Sequence, residues 1–130
     1  MNIILTYDKK PVTTNKERAG NRWERAASTR EWRDAFAWIA KRERVPQMRW
    51  INVTVQPFQK RGRLQDTAAC NPSVKAAIDG LVDAGVVPDD TGDYVRQITF
   101  LPCRRGDDQL VLIITGERGN HAETATAANG

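Results

Sequence analysis

Asp66, Asn71, Lys75, Asp79, Asp89 and Asp90 crowd carboxylates, a carboxamide and an ammonium into one short stretch of the chain. Oxygen donors of this kind suit Mg²⁺, which asks for hard ligands in an octahedron and keeps some of its water, so two or three carboxylates from separate segments suffice. Such an ion makes bound water more acidic and stabilises charge on a phosphoryl group. Asp66, Asp79, Asp89 and Asp90 are the candidate ligands. Lys75, one helical turn before Asp79, is spaced to hold a phosphate oxygen or a leaving group. The same spacing also fits a solvent-side Lys75–Asp79 pair and a turn built on Asp89-Asp90.

A short helix must position these groups. Asn71 is a candidate N-cap, Pro72 suits the first helical position, and Gly85 follows the last apolar residue, so the helix is predicted over Pro72 to Ala84. Val74, Ile78, Leu81 and Val82 recur at three- and four-residue spacing as its buried stripe, while Asn71, Lys75 and Asp79 stack on a neighbouring face. Val86-Val87-Pro88 then delivers Asp89 and Asp90 to a turn at Thr91-Gly92-Asp93.

Around this helix the chain alternates element types. Asn2 to Tyr7 reads as a strand and Thr13-Thr14-Asn15 as a polar loop, with helix-favouring composition from Lys16. Ser28 followed by Glu31 is a capping-box signal for a helix through Trp32, Phe36 and Ile39 to Arg44, ended by Pro46. Trp23 and Trp38 lie off its apolar stripe and are candidates for contact with bases or a partner. Met48 to Phe58 alternates as a strand with one buried face, and Gln59 to Gln65 reads as a mobile basic loop, a phosphate clamp beside the carboxylates. Val95 to Pro102 and Gln109 to Thr115 are predicted to close the fold as a β-hairpin. The order implies an α/β or α+β domain over 1–116, a small mixed sheet with helices packed on it, and a disordered tail over 117–130.

A chain of 130 residues has room for one core. No apolar run is long enough to span a membrane or serve as a secretion signal, so the protein is expected in the cytoplasm, away from membranes. Cys70, Cys103 and His121 cannot furnish a four-ligand zinc cluster, and the two cysteines read as reduced, partly buried thiols. The net charge of +4 hides an asymmetry: 15 Lys/Arg against 6 Asp/Glu over 1–63, and 5 against 10 over 64–130. The basic half, with Lys16, Arg18, Arg22, Arg25, Arg30, Lys60, Arg61 and Arg63, is suited to nucleic-acid backbone through counterion release. A basic helix taken alone more often is only a solvated face; the acidic cluster that follows it tips the reading toward a polyanion.

The run Lys75-Ala76-Ala77-Ile78-Asp79-Gly80-Leu81-Val82-Asp83-Ala84-Gly85-Val86-Val87-Pro88-Asp89-Asp90 resembles the RusA-type Holliday-junction resolvases of phages and prophages, through a K-A-A-x-D-x-L-x-x-A-G-x-x-x-D-D pattern. The resemblance implies a homodimeric, Mg²⁺-dependent endonuclease, with Mn²⁺ as a substitute, that makes paired nicks in four-way DNA. By position Asp90 resembles the family's metal-binding aspartate and Lys75 its catalytic lysine, and Asp79 matches an acidic position on the same helix. Upstream the family has an R-D-x-D-N segment. Here Asp66 lies nine residues before Lys75 and is the candidate for the first aspartate, with a catalytic role, while Asn71 stands where the second would fall. An Asn carbonyl can still ligate Mg²⁺ but brings no charge.

The function expected is therefore metal-dependent hydrolysis of branched DNA, junctions, forks or flaps, in recombination, repair or replication. A non-catalytic branched-DNA binder with a degraded metal site is the alternative.

Overall fold

The computed structural model describes residues 2–120. Strand β1 (Asn2–Tyr7), helices α1 (Thr14–Ala19) and α2 (Arg22–Arg42), strand β2 (Met48–Gln59), helix α3 (Asn71–Asp83), and strands β3 (Val95–Phe100), β4 (Arg104–Arg105) and β5 (Gln109–Arg118) follow in chain order. They make a small mixed sheet with helices packed against it, as the alternation of element types requires.

The sheet runs β1-β5-β2-β3, with β4 paired to the end of β2. β5 is antiparallel to both β1 and β2, whereas β3 is parallel to β2. The predicted β3–β5 hairpin is thus not formed, because β2 lies between the two strands. The reason is in the burial: β2 is buried along most of its length and needs a neighbour on each side, while β3 carries three consecutive exposed residues and suits an edge.

Registers such as Val53↔Ile114, Val55↔Leu112 and Leu5↔Leu112 put one set of side chains on one face. There they meet Trp32, Phe36 and Ile39 of α2 and Val74, Ala77, Ile78 and Leu81 of α3 in a single core. Tyr7 stands edge-on to Trp32, with ring centroids 5.1 Å apart. The apolar stripes predicted for both helices are therefore core.

Helix boundaries moved for local reasons. α2 begins at Arg22, capped by Asn21, whose side-chain oxygen accepts the Glu24 N–H at 2.9 Å while its amide donates to the Glu24 carboxylate at 3.1 Å. This is the same chemistry as the Ser28–Glu31 signal, two turns earlier, with no breaker between. A separate short helix, α1, capped by Thr13, occupies part of the predicted loop. α3 starts with Asn71 inside it; the cap residue is Cys70, which makes no side-chain capping bond. Its end agrees with the sequence, and Gly85 takes φ +83 just beyond it.

Where α2 crosses α3 the backbones touch: a Cβ on Gly80 would lie 2.2 Å from the Arg33 carbonyl oxygen. Only glycine fits, and this fixes Arg33 against the polar side of α3. β5 continues to Arg118, so Glu117 belongs to the sheet and not to the predicted tail; it bonds to Arg49 and to the Trp50 indole, each at 3.3 Å. Residues 121–130 of that tail, including His121, lie outside the described residues. No helix among the described residues is long and apolar enough to cross a membrane.

Candidate functional site

Asp79, Asp90 and Lys75 come together at the polar side of α3. Asp79 and Lys75 share a helix face one turn apart, Asp79 part-buried and Lys75 exposed. Asp90 arrives from the loop after α3, where its N–H donates to the Asp89 carboxylate at 2.7 Å. Asp89 is therefore occupied as a turn former, and the Tyr94 N–H closes the following turn on the Thr91 carbonyl at 3.0 Å.

The pairing shows in the electrostatics. Burial pushes the Asp79 carboxyl above its ordinary value, and the neighbouring Asp90 charge adds to it; the Arg33 guanidinium opposes them, a hydrogen bond shared with Asp90 raises it again, and Lys75 draws it down. Arg33, which the sequence reading did not single out, forks onto Asp83 with bonds of 2.6 and 2.8 Å. That bond holds the Asp83 carboxyl below its usual range. The sequence signal for Arg33 was indirect: its only trace is the glycine at position 80 that lets α2 come so close.

Asp66 does not join this group. It opens a turn over Asp66–Cys70, in which Ala68 takes the left-handed φ of +68 and the Ala69 N–H returns to the Asp66 carbonyl at 3.0 Å. There it lines a separate cleft with Lys10, Thr13, Asn15, Arg63 and Gln65. Among the described residues no three His, Cys, Asp or Glu side chains converge on one point. The expected pocket shared by Asp66, Asp79 and Asp90 is thus reduced to the pair Asp79–Asp90. Asn71 is exposed at the start of α3, on the face that carries Lys75.

No family model matches this chain, and no curated protein matches it.

The basic residues are on the surface as expected. Lys16, Arg18, Arg22, Arg25 and Arg30 are exposed on α1 and the first turns of α2, Arg25 donating to the Gly20 carbonyl at 2.6 Å. Trp23 and Trp38 are 74% and 61% exposed, and each carries a guanidinium over its ring, Arg22 at 5.2 Å and Arg42 at 4.8 Å.

The loop bearing Lys60, Arg61 and Arg63 is anchored where a mobile segment was expected. Gln59, at the end of β2, is only 3% exposed and donates its amide to the Arg61 and Arg63 carbonyls at 2.6 and 2.8 Å. Its own carbonyl accepts the Gln65 N–H at 3.2 Å, and the Lys60 N–H donates to Asp108 at 2.8 Å. A single buried amide thus replaces the sheet hydrogen bonds that the turning backbone gives up. Cys70 and Cys103 are free and buried, and burial raises the Cys70 thiol to about 11, which leaves it unreactive at neutral pH.

Proposed function

We propose that this chain is a divalent-metal-dependent endonuclease of the RusA type, acting on four-way or otherwise branched DNA as a homodimer. The observation that carries the reading is the Asp79–Asp90 pair with Lys75 beside it. The neighbouring Asp90 charge raises the proton affinity of Asp79, and a divalent cation would relieve that repulsion, so the donor set fits Mg²⁺ or Mn²⁺. When bound there, such an ion supplies a more acidic water and positive charge for the phosphoryl oxygens.

The remaining work falls to the chain. Asp79 and Asp90 would hold the cation because α3 and the Val86-Val87 segment that leads to Asp90 are packed on the core. Lys75 holds a non-bridging phosphate oxygen or the departing oxygen as charge develops. The anchored loop with Lys60, Arg61 and Arg63, and the exposed cations of α1 and α2, grip backbone phosphates without reading sequence. Selectivity for branches would come from two such sites facing symmetric strands in a dimer.

The test is cleavage of a synthetic four-way junction with Mg²⁺, with chelator, and with Asp90→Asn. Metal-dependent nicking lost in the variant while junction binding persists supports the reading. One observation favours a second one: Asp66 stands apart, leaving two carboxylates instead of three. A branched-DNA binder with no hydrolytic activity would bind tightly and leave the junction intact at every metal concentration.

A further inference from the structure

The helices cover only one face of the sheet, the one to which Leu5, Leu112, Val53 and Val55 point. On the opposite face the registers Ile4↔Ile113, Thr54↔Ile113 and Thr54↔Thr99 line up one row of side chains across four strands. The rows beside it, from Asn2 through Thr115 to Gln97 and from Thr6 to Val111, are uncharged as well. Ile4 is 63% exposed, and Val111, Ile113 and Thr54 are half-buried and lie outside the core. Among the described residues no helix packs on this face. At one end of it Arg96 lies over the Trp50 ring at 4.6 Å and the Trp50 indole donates to Glu117 at 3.3 Å, so the first charges met there are of both signs.

A sheet face that simply meets water ordinarily carries lysine, arginine or glutamate among its polar positions. Here 28% of the chain is charged, yet these positions hold Ile, Val, Thr, Asn and Gln. Such a face has nothing to attract a phosphate backbone. It can, however, meet its own copy without opposing like charges, which is what a two-fold contact demands of a self-complementary surface. Resting on the homodimer in the proposed reading, and on that part of it alone, we infer that two copies of the chain pack through this open face, sheet against sheet. With strands about 4.8 Å apart, four strands and three alternate-residue rows make a flat footprint of about 400 Å² per copy. Side-chain relief enlarges that area, which stays near the low end of specific interfaces, so the dimer forms at concentrations on the order of micromolar. The ten residues after Asn120, His-Ala-Glu-Thr-Ala-Thr-Ala-Ala-Asn-Gly, offer no large apolar side chain to cover the face in its place. Packed in this way, the dimer keeps both helical layers, with Lys75 and Asp79 of α3, on its outer sides.

The test is analytical ultracentrifugation of the full chain over about 1–100 μM, where the wild type is expected to pass from monomer to dimer. Thr54 lies near the centre of the face, so Thr54→Lys and Thr54→Glu each set like charges together across the two-fold. Each is expected to weaken the dimer on the order of 10²-fold. An equimolar mixture of the two variants is expected to regain the wild-type association, because lysine then meets glutamate. Mixing cannot rescue a variant that has merely failed to fold, so two variants that stay monomeric when mixed overturn the inference. A wild type that stays monomeric overturns it too, and the face then belongs to the chain's own last ten residues or to a different protein. Variants that dimerise as the wild type does also overturn it, while leaving the homodimer reading standing with its contact elsewhere. Nicking of a four-way junction by a monomeric wild type removes the dimer and keeps the metal-dependent nuclease.

Discussion

The two ends of α3 carry opposite chemistry on one rigid element. Beyond its C-terminal end, Asp90 returns to Asp79, and two like charges are held together with Arg33 and Lys75 as partial relief. Before its N-terminal end, Asp66 sits among Lys10 and Arg63 in a net-positive cleft whose loop is pinned by an amide. Acidic residues that look equivalent along the sequence are thus divided between a pair of neighbouring carboxylates and a net-positive cleft. Local sequence says which side chains are present; the crossing of α2 over α3 and the route of the chain after β2 decide what each of them faces.

Breaking the frame shared by both ends should have the largest effect. Gly80→Ala drives a Cβ into the Arg33 backbone and is expected to cost about 2–3 kcal/mol, read by urea denaturation as a lower midpoint with unchanged slope. Gln59→Leu leaves the Arg61 and Arg63 carbonyls and the Gln65 N–H without their partner. It is expected to cost about 2 kcal/mol and to weaken DNA binding while leaving metal-induced stabilisation at the other end intact. A matched loss of metal binding would show that the two ends are not independent.

Smaller effects separate the ends by sign. Asp79 has a raised folded pKa, so its contribution favours folding at low pH and is lost as pH rises through the folded value. Asp79→Asn should therefore raise the neutral-pH Tm of the metal-free protein. Glu31 is lowered, first by its bond to Lys9 and then by the Tyr7 hydroxyl at 2.8 Å, against the opposing effect of burial. Its contribution is present above the unfolded carboxylate value and disappears as pH falls through the folded one. Glu31→Gln should cost about 0.5 kcal/mol at neutral pH, since the pair is partly exposed, and nothing in acid.

Much of this was readable in the residues. The limits of α3 were legible because Pro72 and Gly85 act locally, and the alternation from Met48 located β2 and its buried face. The neighbours of β2 were not legible, because β3 and β5 are close in sequence and only the pairing of β2 along both its edges separates them. The start of α2 was misplaced because Asn21–Glu24 and Ser28–Glu31 spell similar caps. At the site, the Asp79–Asp90 meeting followed from a short, turn-closed connection, whereas the separation of Asp66 depends on a left-handed Ala68 that nothing in the residue type announces. Gln59 looked like one more polar residue, and its role depends on where the chain turns after β2.

The central claim is that Asp79 and Asp90 form a divalent-cation site. Thermal melting of the wild type and of Asp90→Asn across a Mg²⁺ or Mn²⁺ titration tests it most directly, since a ligand that binds only the folded state raises Tm saturably. The account predicts a saturable rise of several degrees in the wild type that is absent in Asp90→Asn. Equal shifts in the two proteins, or none in the wild type, would contradict it.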